Sequence, residues 1–254
     1  MLAVRPLPDV YTTDRWDLPR DTTLSLRVAF DLDGVLADLG TAYDAVAAKV
    51  EATRATSSGG DATTPGEAGD RSDTDDDDSA TSSSVPVSSA ETWEAIHAIP
   101  DFWTTLAPLE PGGMERLQAT AIRHRWELFF FTQRPATRGE TVQRQTQRWL
   151  VEHGVDLPSV IVTRGSRGTL AAALHLDVLI DDTVQHCVDV IAESKTTPFL
   201  VLRKPDAATE GNAKRLGITV VRSVEECLIA LEELQRRKDN PKLLDRLRQS
   251  IGAS

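Results

Sequence analysis

The chain has 254 residues, 40% of them hydrophobic, and a formal charge of -11. That length supports one substantial core, or one domain carrying an insert. The sign of the charge argues against a general binder of nucleic-acid backbones, which needs basic stripes, though a few local cations can still hold a small anionic substrate. Two cysteines are too few for a disulfide framework or a thiolate zinc site, which fits a reducing compartment.

The opening segment, MLAVRPLPDVYTTDRWDLPRDTT, lacks the apolar stretch of a signal peptide, and no window reaches the ~18 apolar residues of a membrane span. A cytoplasmic protein with no membrane partner is the expectation. The first apolar run, LRVAFDL (26–32), ends in Asp31, with Asp33 and Gly34 close behind. A helical pattern around Tyr43, Val46, Ala47 and Val50 follows. Residues 52–90 then carry eight acids against Arg54 and Arg71, together with fifteen Ser and Thr residues. Such a stretch cannot bury enough surface to offset its ordering entropy, and it reads as a disordered acidic loop.

Beyond it, SAETWEAIHAIPDFWTTLAPLEPGG contains Trp93, Phe102 and Trp103, aromatics that pack a small module or line a pocket. Met114, Leu117, Ala121 and Ile122 form a helical stripe, and Val142, Thr146, Trp149 and Leu150 form another, closed by Gly154. Between and after them lie ELFFFTQ (127–133), SVIVTR (159–164), DVLIDD (177–182), PFLVLR (198–203) and GITVVR (217–222), short apolar runs suited to parallel strands covered on both faces. Helical segments TLAAALH and VQHCVDVIAE separate the later runs. A last helix begins at Ser223 with Glu226 as a capping box and turns Val224, Cys227, Leu228, Leu231 and Leu234 inward.

Alternating strands and helices predict an α/β fold, a Rossmann-like, open, mostly parallel sheet flanked by helices, with a small helical cap insert. The expected division is a core over 24–36 and 112–230, a cap insert over 37–111, and a helical tail over 231–254. Ligands in such sheets bind beyond the carboxyl ends of the strands. Asp31 and Asp33, Thr132, Arg164, and Asp181 with Asp182 all fall there. Gathered carboxylates repel unless a cation sits among them, and oxygen ligands favour a hard ion, so Mg²⁺ is the expected cofactor. Capping of the next helix is the alternative use of Asp181 and Asp182, but it leaves Asp31 and Asp33 unexplained. With a metal present, one carboxylate can attack a phosphoryl group while a second moves the proton. The five histidines share no spacing and read as helix-surface or loop residues.

FDLDGVLAD resembles the first motif of the haloacid dehalogenase-like (HAD) phosphohydrolase superfamily, FFFTQRP its second, and TRGSRGTLAAALHLDVLIDD its third and fourth. The likeness covers 26–36 and 105–230. It implies Asp31 as nucleophile, Asp33 as general acid/base, Thr132 on phosphate, Arg167 where Lys is usual, and Asp31, Asp182, Asp181 and the Asp33 backbone carbonyl around Mg²⁺. Gln133 and Arg134 are further candidates for the substrate phosphate, and Arg164 competes with Arg167. Family members that cleave carbon–halogen or carbon–phosphorus bonds lack the second Asp, so Asp33 favours a phosphatase. The early cap, and PDFWTTLAPLEPGGMERL within it, is loosely similar to the deoxyribonucleotidase branch. The resemblance therefore implies a Mg²⁺-dependent phosphomonoester hydrolase acting on a small phosphorylated metabolite, with a nucleoside monophosphate as the leading substrate class. A sugar phosphate, or a non-catalytic scaffold binding a partner through the acidic loop, is the alternative. Oligomeric state is open.

Overall fold

A computed structural model describes residues 25–58 and 88–239. Its sheet has six parallel strands: β1 (Arg27–Asp31), β2 (Glu127–Thr132), β3 (Ser159–Val162), β4 (Val178–Asp181), β5 (Thr197–Val201) and β6 (Thr219–Val221), ordered β3-β2-β1-β4-β5-β6. The chain moves outward from β1 through β2 to β3, then returns to the other side of β1 with β4. This reversal opens a crevice above the carboxyl ends of β1 and β4. Asp31 and Asp181 are the last residues of those two strands.

Strand alternation sorts the core onto two faces. Val28, Phe30, Phe130, Val178, Ile180 and Phe199 join one cluster with Leu117, Trp149, Cys227 and Leu231. Ala29, Phe131 and Leu179 face the other way, against Ala171, Leu176 and Val190, while Leu200 meets Cys187, Ala213 and Ile218. The covering helices are α3 (Gly113–His124), α4 (Val142–Glu152), α5 (Arg167–Ala173), α6 (Val184–Glu193), α7 (Ala207–Arg215) and α8 (Val224–Asp239). Helix α7 has no apolar stripe to announce it, since Ala213 is its buried residue; Asp206 caps it by accepting from Ala208 N and Thr209 N. Gly154 follows α4 with φ +89°, and a Cβ there would lie 2.8 Å from Glu115 Cγ, so the position suits glycine alone.

Two helices belong to the insert, α1 (Leu39–Ser58) and α2 (Ser89–Ala98), joined across Tyr43 and Trp93, whose rings are 5.4 Å apart. A 3₁₀ turn, Phe102–Thr104, leads back to the core. Both ends of the expected 52–90 loop are therefore helical; residues 59–87 lie outside the described residues. Ser88 closes a full capping box with Glu91. At the other end of the chain α8 runs unbroken to Asp239, across the expected boundary at residue 230, because Leu231 and Gln235 remain buried beneath it; residues 240–254 lie outside the described residues. Ile122 departs from the expected stripe and is 67% exposed. At Ser223 the hydroxyl accepts from Glu226 N at 3.1 Å, but Glu226 returns its carboxylate to Arg222 N, one residue earlier than a capping box requires.

Burial pushes the thiols of Cys187 and Cys227 up to about 12. Neither should react with iodoacetamide in the native protein at about pH 8, and both should be alkylated in urea. Peptide mapping reads the difference, and labelling of either thiol without unfolding would contradict their place in the core.

Candidate active site

Asp31 is 8% exposed, and its neutral form is favoured well above the usual carboxylate range, first by desolvation and then by Asp181, with Arg167 opposing. Arg167 opens α5. Ser166 caps that helix by accepting from Gly168 N and Thr169 N, and so fixes where the arginine leaves the backbone. The Arg167 side chain is 1% exposed; its Nη2 donates to Asp31 Oδ1 at 2.5 Å, and its Nε lies 3.5 Å from Asp181 Oδ2. Nε and Nη1 have no hydrogen-bond partner although both are buried. Arg164, the competing candidate, is exposed and does not line the cavity.

Asp181 and Asp182 have separate tasks. Asp181 is fully buried, accepts from Thr183 N at 2.8 Å, and lies 2.9 Å from His186 Nδ1. It orders the start of α6 and backs Arg167. Asp182 is exposed and lines the cavity, with its carboxyl raised by desolvation on its inner side and then by Asp181. Its carboxylate lies against Gly34, which has φ +84° and no room for a Cβ. Close packing of Asp182 on the turn after β1 thus requires glycine at position 34.

Arg134, a candidate for the substrate phosphate, lines the cavity with every guanidinium nitrogen hydrogen-bonded to protein groups. Nη2 donates to Asp33 Oδ1 at 2.7 Å, Nε to Asp33 Oδ2 at 3.0 Å, and Nη1 to Thr146 Oγ1 at 3.1 Å. Its Cζ stacks 4.8 Å from the Trp103 ring, with Trp149 on another side at 5.9 Å. Thr132 is also buried: its hydroxyl accepts from Arg134 N at 3.2 Å, and it is not among the residues lining the cavity. Gln133 is exposed at the rim.

These groups surround a cavity of about 270 Å³ whose other wall is Leu39, Trp93, Trp103 and Pro135. Trp103 both packs and lines: its Nε1 donates to Pro135 O at 2.9 Å. His186, expected as a helix-surface or loop residue, is on α6 and also lines the cavity. Its signal in the sequence is position: five residues after Asp181, it falls in the first turn of α6, which faces back toward the end of β4.

No three His, Cys, Asp or Glu side chains converge as a metal cage among the described residues. Mg²⁺ needs no such cage, since it commonly takes one or two carboxylates and completes its shell with substrate and water oxygens. Asp31 and Asp182 open on one cavity, both with raised proton affinity, and this oxygen-only, charge-excess donor set fits a hard divalent ion.

No protein-family model and no curated protein matches the sequence. Solved structures similar to the chain include a phosphonoacetaldehyde hydrolase-like protein from Oleispira antarctica, at 11% identity and a TM-score of 0.48, covering 85% of this chain and 94% of that one. A HAD family hydrolase from Deinococcus radiodurans R1 with bound phosphate and sodium is similar at 17% identity and 0.45, over 82% and 96% of the two chains. A hydrolase from Pseudomonas syringae is similar at 15% and 0.44, over 82% and 99%. Identities and scores this low describe a loose likeness in chain path.

Removing the buried guanidinium while keeping its partner leaves Asp33 without a counter-charge. Arg134→Met should therefore cost about 3 kcal/mol in urea unfolding, and adding Asp33→Asn should restore part of it. Additive losses in the double mutant would contradict the pairing.

Proposed function

We propose that the protein is a Mg²⁺-dependent phosphomonoester hydrolase in which Asp31 takes the phosphoryl group. The observation that carries this reading is the Arg167 guanidinium: the residue lines the cavity, holds Asp31 by Nη2 and has a buried Nη1 without a hydrogen-bond partner. A buried donor without an acceptor is costly, and a phosphoryl oxygen beside the nucleophile supplies the acceptor. The same group then stabilises charge on the transferring phosphoryl group, as the Lys of the resembled motif would.

Asp31 ends its strand and lines the cavity; as nucleophile its carboxylate would attack phosphorus, displace the alkoxide and form an aspartyl phosphate. Asp33 acts as general acid to the leaving alkoxide and then as base to the hydrolytic water. Arg134 holds Asp33 from behind, crowding Oδ1 with two donors and Oδ2 with one. Oδ2 thus keeps more of its capacity for the proton in transit. Asp31, Asp182 and the Asp33 backbone carbonyl would hold Mg²⁺, which when bound offsets the repulsion between nucleophile and phosphate. Thr132 fixes the turn through Arg134 N, and Gln133 stands at the entrance.

The leaving group meets Leu39, Trp93, Trp103 and Pro135. Flat apolar walls favour a planar group over a polyol. A nucleoside monophosphate is therefore the substrate class we propose, ahead of a sugar phosphate.

Purified protein should hydrolyse p-nitrophenyl phosphate with Mg²⁺ and lose that activity in EDTA; no turnover across a panel of phosphoesters would defeat the reading. Asp31→Asn should lower kcat more than about a thousandfold with the fold retained. Arg167→Lys keeps a charge and donors but loses the planar fork that reaches Asp31 through Nη2 while aiming Nη1 separately, so kcat should fall about ten- to a hundredfold. An Arg167→Lys enzyme of undiminished kcat would remove the role given to Nη1.

A further inference from the structure

We infer that Arg203, which lies outside the catalytic cavity, is a positioning residue that holds the turn carrying Asp33; the inference rests on the phosphatase reading above. The turn folds on itself through Gly34 N to Ala37 O at 3.0 Å, and through Leu36 N and Ala37 N, both to Leu32 O at 2.8 Å. Those bonds leave the Gly34 and Val35 carbonyls without a backbone donor among the described residues. Arg203, two residues beyond β5, serves both from its side chain. Nε donates to Gly34 O at 3.3 Å and Nη2 to Val35 O at 2.6 Å.

The third arm reaches the other side of the cap. Nη1 donates to Glu110 Oε1 at 2.8 Å, and the same oxygen accepts from Val224 N, at the start of α8, at 2.8 Å. Glu110 lies where the chain returns from the cap. The outgoing and returning segments also pair directly, through Asp38 N to Ala107 O and Leu109 N to Leu36 O, each at 2.9 Å. One guanidinium thus ties the exit to the cap, the return from it, and the core behind β5.

The turn needs such a tie for a specific reason. Asp182 excludes any Cβ at position 34, so the residue after Asp33 is a glycine at φ +84°. Glycine gives that backbone little stiffness of its own. Two charge-assisted bonds to the Gly34 and Val35 carbonyls fix the planes of the peptides that follow Asp33. Arg134 fixes the Asp33 carboxylate and Arg203 the backbone that delivers it. A lysine keeps the charge but cannot serve three acceptors in a planar fork.

The test compares Arg203→Lys and Arg203→Met with the unaltered full chain, by p-nitrophenyl phosphate kinetics with Mg²⁺ and by hydrogen–deuterium exchange of peptides spanning residues 32–38. Both variants should lower kcat about ten- to a hundredfold, the effect of a small misplacement at a reacting group, with KM within about threefold of the unaltered value. The amides of Leu36 and Ala37 should exchange faster, while β4 and α6 stay unchanged. A purely supporting role would instead let lysine rescue activity and would spread exchange through the core; that result overturns the proposal. Should Arg203→Met fail to fold, Arg203→Lys carries the same test. Exchange is read without substrate, so an unaltered protein that turns over nothing defeats the phosphatase reading, whereas unaltered exchange over 32–38 in Arg203→Lys defeats the role of Arg203.

Discussion

Arg167, buried at the first turn of α5, holds Asp31 at 2.5 Å and faces Asp181 at 3.5 Å. Without that cation, the ends of β1 and β4 would bring two desolvated carboxylates together, which a fold tolerates poorly. Arg134 does the same for Asp33 from the β2 side. Four carboxylates then meet two guanidinium groups, an excess of negative charge that leaves room for a divalent cation. The electrostatics of the sheet edge and its proposed chemistry are one arrangement.

The arrangement also divides labour between residues of one type. Asp31 and Asp182 open on the cavity, while Asp181 turns inward to Thr183 N, His186 and Arg167. Arg167 keeps buried donors free, whereas every nitrogen of the Arg134 guanidinium has a partner. The two arginines thus differ in the availability of their donors more than in their charge.

Much of this is legible in the sequence, because strands announce themselves through apolar runs and the acids mark where those runs end. Asp31, Asp33, Asp181 and Asp182 follow from that rule, and the six strands lie where the runs stand. Pairings across the chain are another matter. Arg134 meets Asp33 from 101 residues away and Arg167 meets Asp31 from 136, distances at which local pattern carries no information. Arg134 lies outside any helix or strand, yet it is 4% exposed between two tryptophans. His186 and Arg203 escape a reading of the sequence for the same reason: each acts through a partner that only the fold brings near. Helix α1 runs to Ser58, past the start at residue 52 that composition suggests, and near its end Arg54 lies 3.5 Å from Glu91 of α2.

The proposed chemistry turns on Asp31 supplying the oxygen that attacks phosphorus. Acid-quenching the enzyme during turnover of a phosphomonoester with Mg²⁺, followed by peptide mass mapping, tests this most directly. One added phosphoryl group is expected on the peptide containing Asp31, absent from Asp31→Asn. Hydrolysis that continues with the label on another residue, or in Asp31→Asn at an unaltered rate, would contradict it.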